Sequence, residues 1–263
     1  MLRALWTAAT GMEAQQLRVD TIANNLANVN TPGFKKGRVD FEELLYTQLR
    51  RAGAPTQGET TIPVGLEVGC GVRPAGTQRL FMQGSLQQTQ NPLDVAIEGL
   101  GFFEVELGDD RVAYTRDGSF KVDAEGNLVT SDGYRIKWDG DAIPEDAIEF
   151  FVAADGTVSV LTAGSSEPDE LGRIQLVRFM NPAGLESAGK NLWLQTAASG
   201  EPTEGGPGED GLGTILQGYL ETSNVQVVEE MVELIVAQRA YEIASKAVQT
   251  ADDMLGIANS LKR

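Results

Sequence analysis

Carboxylates are the most abundant reactive side chains in this 263-residue chain. There are 38 Asp and Glu residues, no histidine and one cysteine, Cys70. Paired carboxylates could act as general acid and base, as in glycoside hydrolysis, but no pair is singled out by its spacing. The absence of histidine excludes Ser-His-Asp triads, Cys-His dyads and zinc sites with histidine ligands. An acidic hydrolase stays open as an alternative, whereas catalytic chemistry that depends on histidine is excluded.

Two further patterns predict turns rather than ligand sites. Gly99-Leu-Gly101 lacks the third glycine of a dinucleotide-binding loop and the Gly-Lys-Ser/Thr of a P-loop. The Asp-Gly pairs do not match the calcium loop of an EF-hand. We therefore expect no cofactor, no metal site and no small-molecule substrate. A formal charge of −17 also argues against a nucleic-acid binder, whose affinity comes from Lys and Arg.

Charge and helix-breaking residues divide the chain into three regions. Residues 94–210 hold 8 basic and 24 acidic residues, whereas residues 1–93 hold 9 and 7, and residues 211–263 hold 4 and 7. All ten prolines lie between Pro32 and Pro207. Because long helices need stretches without proline and with little glycine, this distribution predicts helical ends around an acidic, turn-rich middle.

Both ends show the apolar heptad spacing of helices that pack against other helices. We expect an N-terminal helix over residues 2–28, ended by Thr31-Pro32-Gly33. A row of alanines beside the C-terminal seam would let a partner helix approach closely; it consists of Ala237, Ala244, Ala251 and Ala258. The predicted assembly interface consists of the seam residues Leu5, Met12, Val19, Ile22, Leu26, Leu220, Val227, Leu234, Tyr241, Val248 and Leu255.

Further apolar residues make the C-terminal stripe wider than one partner helix can cover. They are Val228, Met231, Val232, Ile235, Met254, Ile257 and Leu261. Packing of both helices on the middle of the chain, as ordinary core, is the alternative interpretation. We favour self-assembly, because two long helices that paired with each other would still expose apolar surface to solvent.

The predicted fold class is α+β, with the N- and C-terminal helices pairing as a coiled coil around a central all-β domain rich in hairpins. We expect a terminal helical domain at 1–32 and 218–263, a connecting segment at 33–72 and an acidic β-domain at 73–217. The helical ends of this division follow the proline and glycine content and the apolar spacing along the chain.

The connecting segment and the middle are predicted from local signals. Asp40 and Glu43 match a helix capping box and predict a short helix with Leu44 and Leu49 on its apolar face. Residues 52–62 predict an exposed loop or hairpin. Turn residues at hairpin spacing predict strands at 94–97, 102–105, 119–122, 127–129 and 134–136. We also expect a strand pair at 174–179 and 192–195. Residues 199–213 are predicted to form a flexible acidic segment that returns the chain to the last helix.

Several motifs resemble those of bacterial flagellar rod and hook proteins. Residues 20–35 are similar to the N-terminal signature of that family, 218–225 and 238–242 to its C-terminal end, and 94–103 and 114–120 to its middle. The family motif residues in the N-terminal signature are Asn24, Asn25, Leu26, Asn28, Thr31, Pro32, Gly33 and Phe34. Cys70 departs from the pattern, because a small hydroxylated residue is expected there.

The resemblance implies a tubular helical homopolymer, with the terminal helices on its inner wall and the β-domain outside. The length and the segment 41–73 are most similar to distal rod subunits, which form a rigid tube that transmits torque from motor to hook and passes exported subunits. A proximal rod or hook subunit is the alternative within the family. No enzymatic activity is implied.

The resemblance also implies partners and a location. The implied partners are further copies of the chain, proximal rod subunits, the hook or hook-junction protein, the surrounding ring proteins where the cell has an outer membrane, and the flagellar export apparatus. The implied location is the periplasm-spanning rod of the basal body. The resemblance further implies export by the flagellar route, which agrees with an N-terminus that does not match a cleavable signal peptide.

Overall fold

The computed structural model describes residues 2–53, 63–108, 111–163 and 167–260. The chain forms two compact units. The first comprises residues 1–26, 37–78 and 226–263, and the second comprises residues 27–36 and 79–225. Long helices occur in the first unit and most strands in the second, so the predicted α+β class is confirmed.

The two long helices lie near the ends of the described chain. Helix α1 spans Leu2–Ala27, within one residue of the predicted end. Helix α2 spans Val227–Ser260, and Glu229 and Glu230 lie in its first turn, where negative charge stabilises exposed N–H groups. Neither helix, as far as the structure describes them, is long and apolar enough to cross a membrane.

The first unit adds two strand pairs to these helices. Its strands are β1 (Gly37–Glu43), β2 (Thr47–Arg50), β3 (Leu66–Val68) and β4 (Val72–Arg79). Strand β1 pairs with β4, and β2 pairs with β3 in antiparallel register. The predicted short helix from Asp40 is therefore wrong, because β4 supplies strand pairing that a local capping pattern cannot anticipate. The predicted loop at 52–62 lies almost wholly outside the described residues.

The second unit is built from antiparallel strands. They are β5 (Leu86–Gln88), β6 (Val95–Glu98), β7 (Phe103–Glu106), β8 (Val112–Thr115), β9 (Lys121–Val122), β10 (Leu128–Val129), β11 (Arg135–Ile136), β12 (Asp139–Gly140), β13 (Ala147–Val152), β14 (Thr157–Thr162), β15 (Asp169–Arg173), β16 (Leu176–Arg178), β17 (Glu186–Gly189), β18 (Leu192–Leu194), β19 (Thr203–Gly205), β20 (Thr214–Gln217) and β21 (Tyr219–Glu221). A short 3₁₀ helix spans Pro182–Gly184.

Two larger sheets and three strand pairs organise this unit. The seven-stranded sheet has the order β17-β18-β8-β7-β11-β10-β9, and the four-stranded sheet has the order β12-β15-β14-β13. The remaining pairs are β16-β19, β20-β6 and β21-β5. The five strands predicted between residues 94 and 136 are confirmed: β6 and β7 are shifted by one residue, and β9, β10 and β11 are shorter than predicted.

Three sequence predictions on this unit are wrong. The apolar segments at 174–179 and 192–195 do not pair with each other, because β16 pairs with β19 and β18 pairs with β17 and β8. The return at 199–213 contains strand β19 rather than only flexible chain. Leu220, predicted to begin the C-terminal seam, lies in β21, where pairing with β5 holds it in a strand.

The second unit closes its own hydrophobic core. One cluster includes the fully buried Phe103, Val158 and Leu176, and a second is dominated by aromatic rings. In that second cluster the ring centres of Tyr114 and Phe179 lie 4.7 Å apart in an edge-to-face arrangement, which aromatic pairs favour. The apolar residues of the central strands are thus covered within one chain.

Candidate assembly interface

Helices α1 and α2 contact each other in antiparallel orientation. Arg18 Nη2 lies 3.4 Å from Glu233 Oε2, and Asn25 Nδ2 donates to Glu230 Oε2 at 3.1 Å. Residue numbers therefore rise along α1 as they fall along α2. A cleft of about 380 Å³ farther along the pair is lined by Gln16, Val19, Gln238, Tyr241 and Glu242.

The alanine row of α2 is largely covered. Ala237 and Ala251 are buried and Ala244 is half-buried, whereas Ala258 is exposed. Glu230, Glu233 and Ala237 are three and then four residues apart, a spacing that places their side chains on one helix face. The small side chains thus lie on the face that contacts α1.

The predicted seam residues differ in their burial within a single chain. Ile22 is buried, and Val227 and Tyr241 are exposed. The half-buried members are Leu5, Met12, Val19, Leu26, Leu220, Leu234, Val248 and Leu255. Ten of these eleven residues lie on the two helices, and Leu220 lies in the β-rich unit, so the structure does not bring it into one helical seam with the others.

The wider apolar stripe of α2 is exposed to solvent. Val228 is 76% exposed and Ile235 is 55% exposed. The other exposed apolar residues of this helix include Met231, Val232, Val236, Ile243, Met254 and Ile257, while Leu261 lies outside the described residues. Large contiguous patches of exposed apolar surface are typical of sites of protein association.

Asn25 of the N-terminal signature connects three elements of the first unit. Its Nδ2 donates to the carbonyl oxygen of Gly37 at 2.9 Å as well as to Glu230, and its Oδ1 accepts from the Gly37 backbone N–H at 2.9 Å. The buried side chain therefore joins α1, the start of β1 and the first turn of α2 within the first unit. The neighbouring Asn24 is exposed.

The signature residues that follow Leu26 form a turn in the second unit. Asn28 accepts a hydrogen bond from the Thr31 backbone N–H at 3.2 Å, and Pro32 accepts one from Asn191 Nδ2 at 2.8 Å. Phe34 is buried, with the Arg79 guanidinium 5.3 Å from its ring centre. These contacts fix the path of the chain directly after the signature asparagines.

Gly33 is required at its position by both conformation and space. Its φ is +69°, in the left-handed region that favours glycine. A Cβ there would lie 2.7 Å from the backbone nitrogen of Asp117. The Gly33 N–H donates to the carbonyl oxygen of Glu221 at 2.8 Å, so the turn is bonded directly to β21.

A buried ion cluster holds the same turn. Lys35 Nζ lies 2.5 Å from Glu221 Oε1, and Arg116 Nη1 lies 3.3 Å from Glu221 Oε2. The Gly84 N–H also donates to Glu221 Oε1, at 2.7 Å. Desolvation lowers the pKa of Lys35 and the pKa of Arg116, and the Glu221 carboxylate opposes both shifts. The sequence analysis missed this cluster, since its members lie in three distant segments.

The carboxylates do not favour the hydrolase alternative. Burial raises the pKa of Asp117, but Asp117 Oδ1 accepts a hydrogen bond from the Ser119 N–H at 3.0 Å and serves a turn between β8 and β9. Within the described ranges, no group of three or more His, Cys, Asp or Glu residues could hold a metal ion. Cys70 is half-buried, with its sulfur 3.4 Å from the hydroxyl of Thr47.

Comparison with known proteins places these features in one family. Profiles described as flagella basal body rod protein, flagellar hook protein FlgE/F/G D1 domain, and flagellar basal body rod FlgEFG protein C-terminal match residues 5–35, 96–160 and 216–261, respectively. These matches cover both helical ends and the first part of the β-rich unit.

Whole-chain relatives agree with the profiles. The flagellar basal-body rod protein FlgG of Borreliella burgdorferi is 56% identical, with 100% of both chains covered. FlgG of Caulobacter vibrioides is 45% identical over 99% of this chain and 100% of the relative, and FlgG of Bacillus subtilis is 38% identical over 100% of both. The chain belongs to the FlgG family of flagellar basal-body rod proteins. It is a family of structural proteins of the flagellum, and membership implies assembly with other rod and hook components.

Proposed function

We propose that this chain is a structural subunit of the distal flagellar rod. Copies of it assemble into a rigid helical tube that transmits torque from motor to hook and passes exported subunits. The observation that supports this most is the exposed apolar stripe of α2, which includes Val228, Met231, Val232 and Ile235. Covering each such side chain contributes about 1.5–3 kcal/mol, so neighbouring copies would stabilise one another substantially.

The proposed interface combines the seam and the stripe. The buried alanines and the antiparallel contacts of α1 with α2 support coiled-coil pairing of the terminal helices within each subunit. The seam residues would then be covered together by the helix pair and its neighbours in the tube. We retain a terminal domain at 1–32 and 218–263, a connecting segment at 33–72 and a β-domain at 73–217 as the functional parts.

The proposed partners and location follow from this role. They are further copies of the chain, proximal rod subunits, the hook or hook-junction protein, ring proteins around the rod and the flagellar export apparatus. The subunit would reach the periplasm-spanning rod through that apparatus. Full-length coverage of FlgG relatives supports the assignment to the rod.

Replacement of an exposed stripe residue by aspartate tests this proposal. In Ile235→Asp, a charge on an exposed side chain leaves the single chain folded but would be buried between copies in the tube. We expect wild-type protein to form tubes in electron micrographs and Ile235→Asp to remain monomeric at the same concentration.

A matched control is Gln249→Asp, which adds the same charge at an exposed polar position of α2. This variant should still form tubes. Wild-type protein that stays monomeric at high concentration, or Ile235→Asp protein that assembles normally, would contradict the proposal.

A further inference from the structure

The β-rich unit contains a cleft that lies between the edges of its two larger sheets. Among the described strands, β9 is the last strand of the seven-stranded sheet and β13 is the last strand of the four-stranded sheet. Val122 of β9 and Phe151 of β13 line the same cleft, which has a volume of about 790 Å³. Edge strands present backbone groups that can pair with a further strand from another chain.

Val122 presents its backbone groups at the edge of β9. The Asp123 N–H donates to the carbonyl oxygen of Asn127 at 3.0 Å, and Val122 lies opposite Leu128. In an antiparallel pair, residues that exchange hydrogen bonds alternate with residues whose N–H and C=O point away from the partner strand. The N–H and C=O of Val122 therefore point away from β10, at the edge that borders the cleft.

The edge of β13 is already bonded at one end by a side chain that acts like part of a strand. Gln217 donates from Nε2 to the carbonyl oxygen of Phe150 at 2.7 Å, and its Oε1 accepts from the Val152 N–H at 3.2 Å. Two residues before Phe150, Ile148 is left out of the pairing with β14 and is the extra residue of a β-bulge. An added strand would therefore pair on the Ile148 side and end at Gln217.

The side chains around the cleft are apolar and acidic. Ile148 is 66% exposed, and Val122 and Phe151 are also exposed. Glu145 and Glu149 are exposed, so their charge is open to a partner. The acidic lining residues are Asp123, Glu125, Glu145 and Glu149, and no basic residue among those described lines the cleft.

The pattern of β13 defines the side chains that a paired strand would need. Phe150 and Val152 are buried, whereas Glu149 and Phe151 are exposed and lie on the other face of the strand. Directly opposite residues of neighbouring strands are in contact, and opposite charges in such pairs are stabilising. A matching strand would therefore place a basic side chain opposite Glu149 and an apolar one opposite Phe151, two positions apart on one face.

We propose that this cleft binds an extended, basic and apolar segment of a different protein by strand addition to β13. In this mode, backbone hydrogen bonds supply affinity and the surrounding side chains supply specificity. Two features favour a different protein over a second copy. Every described strand already pairs with another strand of the chain. Residues 94–210 contain 24 acidic and 8 basic residues, so the β-rich units of two copies repel each other.

A synthetic peptide tests the proposal on the full-length chain, held below its assembly concentration. The probe is a fluorescently labelled peptide with blocked ends and the sequence Lys-Thr-Val-Thr-Lys-Thr-Val-Thr, which places lysine and valine alternately on one face of a strand. We expect saturable binding in fluorescence anisotropy. A control peptide with glutamate in place of both lysines should bind about tenfold more weakly or not at all.

Methylation of alternate backbone nitrogens separates strand addition from charge attraction alone. One methylated peptide lacks the N–H donors on one edge of the strand, and a second lacks those on the other edge. Only the edge that pairs with β13 contributes hydrogen bonds, so one pattern should weaken binding about tenfold and the other should leave it nearly unchanged. In hydrogen exchange, the unmodified probe should slow the amides of β13 and leave those of β7 unchanged.

Charge reversal on the protein locates the site. Glu145→Lys with Glu149→Lys should weaken binding of the probe about tenfold, because two attractive contacts become repulsive. The matched control is Glu186→Lys with Glu201→Lys, which reverses two exposed acidic residues outside the cleft. This control protein should bind the probe like wild type.

Three results would overturn the proposal. They are undiminished binding to the Glu145→Lys, Glu149→Lys protein, equal binding of the two methylated peptides, and absence of binding by the wild-type chain. A peptide of residues 44–51 of this chain that bound more tightly than the probe would make a second copy the occupant and would also overturn it. Tube formation is scored separately in electron micrographs, so failure of the strand-addition site leaves the rod assignment standing, and failure to form tubes leaves the site standing.

Discussion

The β-rich unit and the helix α2 use their apolar residues in opposite ways. In the β-rich unit, Phe103, Val158 and Leu176 are completely buried inside one chain. In α2, large apolar residues such as Val228 and Ile235 are mostly exposed in the same chain. Both regions contain enough apolar surface to form a core, but only the first region covers it.

This difference indicates where the chain folds alone and where it depends on neighbours. Ordering a residue costs about 1–2 kcal/mol of backbone entropy, and full burial of an apolar side chain stabilises by about 1.5–3 kcal/mol. A helix pair whose apolar residues are partly exposed is therefore close to balance. The apolar residues of the β cores are covered without partners. We therefore expect assembly to stabilise the helices and leave the β-rich unit almost unchanged.

Removing the charge of Glu221 should produce the largest loss of stability in the β-rich unit. Glu221→Gln leaves Lys35 and Arg116 buried without their shared counter-charge. Breaking a buried ion pair typically costs about 3–5 kcal/mol, and urea unfolding of the monomeric full chain would measure it. The exposed Glu186→Gln should change the free energy of unfolding by less than about 0.5 kcal/mol. Equal effects of the two substitutions would show that the cluster does not stabilise this unit.

A methyl group at Gly33 should have the next largest effect. The residue has a φ of +69°, and an added Cβ would lie only 2.7 Å from the backbone of Asp117, so Gly33→Ala is both strained and sterically blocked. Gly133 has a φ of +83° with open space around it and is therefore the matched control. We expect Gly133→Ala to cost about 1–2 kcal/mol. Gly33→Ala should cost about 1–3 kcal/mol more in the same urea titration.

Asn25→Asp should have the smallest effect on the monomer and a clear effect on the assembly. The new carboxylate would face Glu230 and lose the hydrogen bond donated to Gly37. Loss of these hydrogen bonds should cost the first unit about 1–3 kcal/mol. The critical concentration for assembly should then rise at least severalfold, which sedimentation would measure. The exposed Asn30→Asp is the control. If Asn25→Asp instead destabilised the β-rich unit in the monomer, the two regions would not be energetically separate.

The elements predicted correctly from sequence are those whose local signals agree with their surroundings. Helix α1 ends where Thr31, Pro32 and Gly33 require it, and the strands around Phe103 and Val129 follow alternating apolar residues and turn signals. The apolar heptad spacing also predicted a helix where α2 lies. These features depend on neighbours within a few residues of each other.

The missed features depend on distant parts of the chain. Asp40 and Glu43 resemble a helix start, but pairing with β4 makes the segment a strand. Leu220 matches the heptad spacing of the helix, but its pairing with β5 places it in a strand instead. The Lys35 cluster joins residues more than a hundred positions apart, and no spacing rule predicts such a meeting.

Hydrogen exchange on the wild-type chain, below and above its assembly concentration, tests the central claim most directly. We predict that amides of α2 between residues 227 and 255 exchange rapidly in the monomer and slowly in the assembly. Amides of the β-rich strands, such as those in β7 and β14, should exchange slowly in both states. Strong protection throughout α2 in the monomer, unchanged by assembly, would contradict the account.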